Sequence, residues 1–420
     1  MKEQQLVFFL NRLKEKLWIK PLFFCILSII AALLARLADN QPLGVNLEQL
    51  VPNITRESIE DLLKITAASM LVIATFSVAS MVSAYASAGN TATPRTFPLI
   101  ISDDVSQNAL STFIGVFIFS IVALVALKNG YYGKPGRFVL FALTLITLAV
   151  VIVTFMRWVD KIARLGRLGT VIDKVEMATA KAMQDRQDFP TLGGMPVTLS
   201  ERRAHALYAG TIGYVQQVDI KKLQCYAEEK KIRITVAALP GAFATPDRPI
   251  AYVLPDDGAE FTPADNQIEK AFSIGQDRLF DHDPRFGLVV LSEIASRALS
   301  PAVNDPGTAI QIIGTYVRLF VQWSHPSEKR HEPECDRVSV PELSIADMFD
   351  DAFTAIARDG AAILEVQVRL QKALRTLASG GNDAMRSEGI RHAQSALIRA
   401  ENAMDFPPDL DVIRRAGNTI

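Results

Sequence analysis

The chain has little cysteine, no excess of either charge, and none of the short motifs that mark common catalytic sites. Its three cysteines, Cys25, Cys225 and Cys335, are far apart and form no CxxC or Cys/His metal spacing. Neither a disulfide framework nor a zinc site is expected, and the soluble part is expected in a reducing compartment. Lys and Arg number 44 against 45 Asp and Glu. That balance argues against broad nucleic-acid binding, which needs a basic face. There is no P-loop, GxGxxG, GxSxG or HExxH, so no enzyme activity, cofactor or metal is expected. No charged residue occupies the centre of any long apolar run, where proton pumps and ion-coupled carriers keep one.

Apolar residues make up 49% of the chain, and the mean hydropathy is +0.20. They concentrate before Trp158, and the charges concentrate after it, so a membrane half and a soluble half are expected. Four runs reach the roughly 20 residues that a helix needs to cross a bilayer: Trp18 to Leu37, Leu62 to Ala86, Ala109 to Leu127 and Phe138 to Met156. The first is too long for a signal-peptide core and lacks a small-residue cleavage site. Its N-terminal flank carries Lys2, Arg12, Lys14, Lys16 and Lys20. Arg157, Lys161, Arg164 and Arg167 follow the fourth run. The loop from Ala38 to Asp61 holds Arg56 among five acids, including Glu48. The basic flanks assign both termini to the cytoplasm, although Lys128, Lys134 and Arg137 run against the rule.

At about 100° per residue, Thr66, Ser69, Ser77, Ser80, Ser83 and Ser87 of the second run share a sector about 120° wide. Such a face can pack closely against other helices or line a wet pathway. Pro94 and Pro98 break the chain after it, where Arg95 and the pair Asp103 and Asp104 form a polar loop.

The soluble half is expected to be α+β. Arg157 to Asp188 reads as one helix continuing the fourth span, closed by "FPTLGGMP". A small β-rich module is expected over 196–258, from Val197 to Asp257, with "GYVQQVD" as a strand, Asp219 capping a short helix, and "KIRITVAAL" as a second strand. After Pro263 the chain reads as mainly helical over 259–420. "ADNQIEKAFSIG" reads as a helix closed by Gly275. Pro284 opens another helix, and Asp305-Pro306 a third. His325, His331, Glu334 and Cys335 lie in a loop-like stretch whose spacing matches no standard metal site. Two amphipathic helices follow, near Ile345 to Ala378 and Asp383 to Met404. The expected organisation is thus 1–157 membrane, 158–195 connecting helix and linker, 196–258 β-rich and 259–420 helical.

"SRALSPAVNDPGTAI" (Ser296 to Ile310) is the most unusual stretch. Its caps and turns make it a structural corner first. A buried Arg297 would need an acidic partner, with Asp277, Asp283 and Asp305 as candidates. The expected site is a polar cluster of Arg278, Asp283, Arg297, Asn304 and Asp305 that locks two helices and holds a small polar or anionic ligand. Asp281 to Asp283 ("DHD") could offer acid/base or metal chemistry, but three polar residues before a proline read better as a turn.

Taken in order, the four spans, "TPR" (Thr93 to Arg95), "GYVQQVD", "GQDRLFDHDPRFGL" (Gly275 to Leu288) and "IASRALSPAVNDPGTA" (Ile294 to Ala309) give a resemblance over nearly the whole chain. It resembles the bacterial membrane proteins grouped as "domain of unknown function 2254". The resemblance implies an α-helical protein of the bacterial inner membrane with four transmembrane helices and a C-terminal cytoplasmic α+β domain, and it implies no activity. Gly307 departs from the bulky residue common there, which is expected to loosen local packing. The favoured functional expectation is a homo-oligomeric, channel-like permeation protein gated by its soluble half. The alternative is a membrane-anchored scaffold or sensor that binds a ligand or protein.

Overall fold

The computed structural model describes residues 18–39, 54–101, 103–197, 204–256, 266–325, 327 and 329–418. Lys2, Arg12, Lys14, Lys16, Glu48, Asp257 and Pro263 lie outside them. The chain divides into two compact units, Lys2–Val171 and Ile172–Ile420.

In the first unit, four helices are long and apolar enough to cross a membrane: α1 (Ile19–Leu34, extended by a 3-10 turn to Asp39), α2 (Arg56–Thr91), α3 (Asp104–Lys128) and α4 (Lys134–Leu165). Of the most apolar stretch of α3, 56% is buried, against 17% in α1 and α4, so α3 is the helix around which the others pack. Its neighbours are α1, α2 and α4. Gly115 lets α1 close on α3, because an added Cβ would lie 3.2 Å from Phe24 Cβ and from Ser28 Oγ. One cluster of buried side chains holds Ile59, Leu63, Phe119, Leu127 and Leu140. A second holds Met70, Phe113, Val116 and Trp158. The outward faces stay apolar, with Phe23, Leu27, Val72, Phe76, Ile146 and Met156 among the exposed side chains. In water this would be an aggregating patch; against hydrocarbon it is the expected surface.

Polar contacts tie the helix ends. At one end, Lys20 pairs with Asp104, and Lys161 pairs with Asp103 at 3.3 Å. Asp103 also caps α3, accepting from the Ser106 amide at 3.1 Å. At the other, Lys128 pairs with Glu60 at 3.1 Å. Asp39 accepts from the amides of Gly133 at 2.9 Å and Gly136 at 2.8 Å, so an acid of the first connection closes the start of α4.

The expected single helix from Arg157 to Asp188 is two. The Gly166–Arg167 break separates α4 from α5 (Leu168–Asp188).

The second unit carries two sheets. Its strands are β1 (Gly194–Met195), β2 (His205–Tyr208), β3 (Gly213–Val218), β4 (Ile232–Val236), β5 (Phe243–Ala244), β6 (Pro249–Pro255), β7 (Phe272–Gly275) and β8 (Cys335–Ser339), with α6 (Ile220–Lys230) between β3 and β4. One sheet runs β1-β8-β4-β6-β2 and the other β5-β3-β7. Asp219 caps α6 as expected, accepting from the Lys222 amide at 3.0 Å.

Two expectations fail here. "FSIG" is not the end of a helix but β7, paired antiparallel with β3. The charged stretch before Leu343 contains β8, paired parallel with β4 and β1. Both strands are too short to show a period, and it is their sheet partners that fix them.

The rest is helical: α7 (Pro284–Ala298), α8 (Pro306–Ser324), α9 (Ile345–Asp359), α10 (Leu364–Gly380), α11 (Asp383–Ala403) and α12 (Pro407–Asn418). The stretch read as one helix from Ile345 to Ala378 is broken at Gly360, where an added Cβ would sit 2.7 Å from Val366 Cγ1. Tyr316, Phe320, Phe349 and Phe353 are fully buried together, and the Tyr316 hydroxyl donates to Leu288 O at 2.8 Å.

α7 meets α5 at Gly287, where a Cβ would fall within 2.8 Å of Thr179 Cβ. Gly287→Ala should therefore destabilise the protein by about 1–3 kcal/mol despite the better helix propensity of alanine. Thermal unfolding followed by circular dichroism checks this; an unchanged or raised Tm would show that the two helices can separate without cost.

Candidate functional site

The hydroxyl sector of α2 is shared between two environments. Thr66 and Ser77 are buried, within about 60° of Met70 and Met81 on the helix wheel, so they face the bundle. Ser80 is half-buried, and Ser69, Ser83 and Ser87 are exposed. Burial thus falls steadily around the sector. Ser77 Oγ has no hydrogen-bond partner among the described residues. Ser80, Ser83 and Ser87 line an open groove of about 600 Å³ with Ala163, Gly166 and Arg167. The groove is narrow at Gly166, whose added Cβ would lie 3.5 Å from Ala84 O.

The expected five-residue polar cluster does not form. Its members sit at opposite ends of α7, 15 residues long, or about 20 Å at 1.5 Å per residue. At the start of α7, Arg278 grips Asp283 with two hydrogen bonds, Nε to Oδ2 at 2.7 Å and Nη2 to Oδ1 at 3.0 Å. Asp283 is buried and also caps α7 through the Phe286 amide at 3.1 Å. Burial pushes the Asp283 carboxyl up from its ordinary value, while Arg278 and the Phe286 amide oppose the rise. Gly241, at φ 93°, packs directly on this carboxylate, whose Cγ would lie 2.6 Å from an added Cβ. The turn at Pro240 and Gly241 is thus built to receive Asp283.

The other end of α7 is the corner itself. Asp305 caps α8, accepting from the Thr308 amide at 3.1 Å and the Thr308 hydroxyl at 2.6 Å. These bonds hold its carboxyl below the ordinary value. The backbone closes the turn: Asn304 N donates to Ser300 O and Asp305 N to Ala298 O, both at 2.8 Å. Asn304 adopts φ 48°, the left-handed conformation that asparagine tolerates. Arg297 is exposed and makes no ion pair among the described residues, because its helix turns that position to solvent. Its charge suits the C-terminal end of α7. Asp277 is exposed too, and its backbone carbonyl accepts from Gln216 Nε2 at 2.8 Å. Gly307 is exposed, and an added Cβ would meet only Asp305 Oδ1 at 3.2 Å. Its lack of a side chain leaves no void, contrary to the expected loosening.

The residues weighed as metal ligands are dispersed. His325 Nδ1 lies 2.7 Å from Val321 O, His331 stacks on Phe189 at 4.4 Å, Glu334 pairs with Lys221, and Cys335 is buried in β8. Among the described residues no group of three His, Cys, Asp or Glu could hold a metal ion.

Sequence reasoning missed three charged residues of α5, α7 and α8. Arg285 reaches Asp351 at 2.6 Å and Asp347 at 2.5 Å on α9. Arg318 of α8 holds Glu176 of α5 at 2.6 Å. Arg186, near the end of α5, is buried. In the sequence all three look like solvated helix positions.

Asp305→Ala should cost about 0.5–2 kcal/mol, as loss of a helix cap does. Arg297→Ala should stay within about 0.5 kcal/mol, as exposed substitutions do. Paired thermal melts check both, and a Tm loss for Arg297→Ala equal to that for Asp305→Ala would show that the exposed guanidinium carries a structural contact.

A family model described as "Predicted membrane protein (DUF2254)" matches residues 14–376. Uncharacterised proteins of two strains of Mycobacterium tuberculosis and of Mycobacterium bovis are each 32% identical over 110 residues, 26% of this chain. The matched region spans 21% of the length of these curated relatives. No solved structure matches. With the four apolar helices in place, the chain belongs to the DUF2254 family of predicted membrane proteins.

Proposed function

We propose that this protein is a homo-oligomeric, channel-like permeation protein of a bacterial inner membrane, assembled through the hydroxyl face of α2. The observation that carries this reading is the position of Ser69, Ser83 and Ser87. They are exposed on the outside of a single bundle, on a different face of α2 from the exposed apolar Leu71 and Val82. A hydroxyl gains little from hydrocarbon, whereas small polar residues favour close helix association or contact with water. The spans carry no central charge, which suits passive movement rather than ion-coupled transport.

The N- and C-termini share the cytoplasmic side. The ion pairs Lys20–Asp104 and Lys161–Asp103 support this, because they gather the start of α1 and the end of α4 at one end of the bundle. Reporter fusions at Gln41 and Asn418 should give opposite signals, and equal signals would contradict the arrangement. In native membranes, cysteines at Ser69 and Ser83 should crosslink between copies, while those at Leu71 and Val82 should not. Equal yields at all four positions would remove the assembly face.

A further inference from the structure

Arg186 is a buried cation with no carboxylate in direct contact among the described residues. Only 4% of it is exposed. Its Nη2 donates to Pro341 O at 3.0 Å, which is the one hydrogen bond that the described residues supply. Its Nε is closed off from solvent and meets no acceptor, and no carboxylate among the described residues forms an ion pair with it. A guanidinium has five N–H donors and cannot shed its proton near neutral pH. Burial pulls the Arg186 pKa down to about 10, with Glu342 and Asp283 opposing from a distance, so the group is still charged at pH 7. An uncompensated buried charge is among the least favourable arrangements in a folded protein.

The same residue lines a cavity of about 340 Å³. That volume lies within the range of small-molecule sites. Arg330 and Glu342 lie on the wall, 3.6 Å apart. The ionised wall therefore holds two arginines and one carboxylate, and the surplus is one positive charge. Asn382 also lines the cavity. Its Oδ1 caps α11 through the Met385 amide at 3.0 Å, and its amide nitrogen makes no hydrogen bond among the described residues. The remaining surface includes Trp323 and Leu343, both half-buried.

We propose that this cavity binds a small organic carboxylate with an apolar or aromatic body, anchored by Arg186. The carboxylate supplies the missing counter-charge and accepts from the guanidinium, a pairing for which planar arginine is well shaped. The wall's single surplus charge matches a monoanion, and Trp323 and Leu343 receive the body. The site lies wholly within the second unit and is independent of permeation by the helices.

The test uses the full-length protein in detergent, with benzoate as probe and neutral benzamide as control, in thermal melts and isothermal titration. Benzoate should raise the Tm saturably and bind, while benzamide should not. Arg186→Met should weaken benzoate binding at least tenfold. Because it removes a buried charge, the variant should melt no lower than the wild type when no anion is added. Arg330→Gln, which leaves the wall neutral, should weaken binding by a smaller factor. Absence of benzoate binding, equal binding of benzamide, or equal binding by Arg186→Met would overturn the proposal. An anion-free Tm of Arg186→Met below that of wild type would do so as well, by making Arg186 a structural tie to Pro341.

Discussion

In hydrocarbon no water satisfies a peptide group, so every backbone N–H and C=O of a spanning segment must bond within its own helix. The first unit follows from that constraint. Its four apolar segments are helices, and what distinguishes them is which side chains meet protein and which meet lipid. α3 is the helix most enclosed by protein, and Gly115 lets α1 come close to it. Charge is confined to the helix ends, where Lys20, Asp103, Asp104, Lys128, Glu60 and Lys161 pair with one another. The hydroxyls of α2 are the exception to an otherwise apolar outer surface, and the proposed assembly rests on them.

The second unit is held by different means. Its larger sheet draws strands from Gly194 to Ser339, so distant parts of the chain must meet before it closes. Two Asp-Pro pairs, Asp283-Pro284 and Asp305-Pro306, start the helices on either side of the corner. In each, the aspartate accepts the amide three residues on, and the proline occupies a first-turn position where no donor is lost. Asp283 carries the further burden of burial, met by Arg278 and by the cradle at Gly241.

What was legible in the sequence is what local chemistry dictates. The four spans follow from length and hydropathy. The Asp219 and Asp305 caps follow from a carboxylate placed before a helical pattern, and the β4 strand from a β-branched run that alternates apolar and polar residues. What was not legible depends on distant partners. Five residues of β8 look like loop until β4 and β1 flank them. Gly360 ends α9 at a point where Val366 and the Ile356 carbonyl leave no room for a Cβ. Arg297 sits on a largely apolar helix and would need an acidic partner if buried, yet it falls on the exposed side. Arg186 reads as solvated, yet it is buried, because the segment around Pro341 covers it.

Permeation through an assembly of α2 faces is tested most directly by ion current through the full-length protein in planar bilayers. The account predicts discrete conductance that Ser83→Leu abolishes or sharply reduces while the protein remains folded and inserted. A steady absence of current from correctly inserted wild-type protein, across ions and voltages, would contradict it.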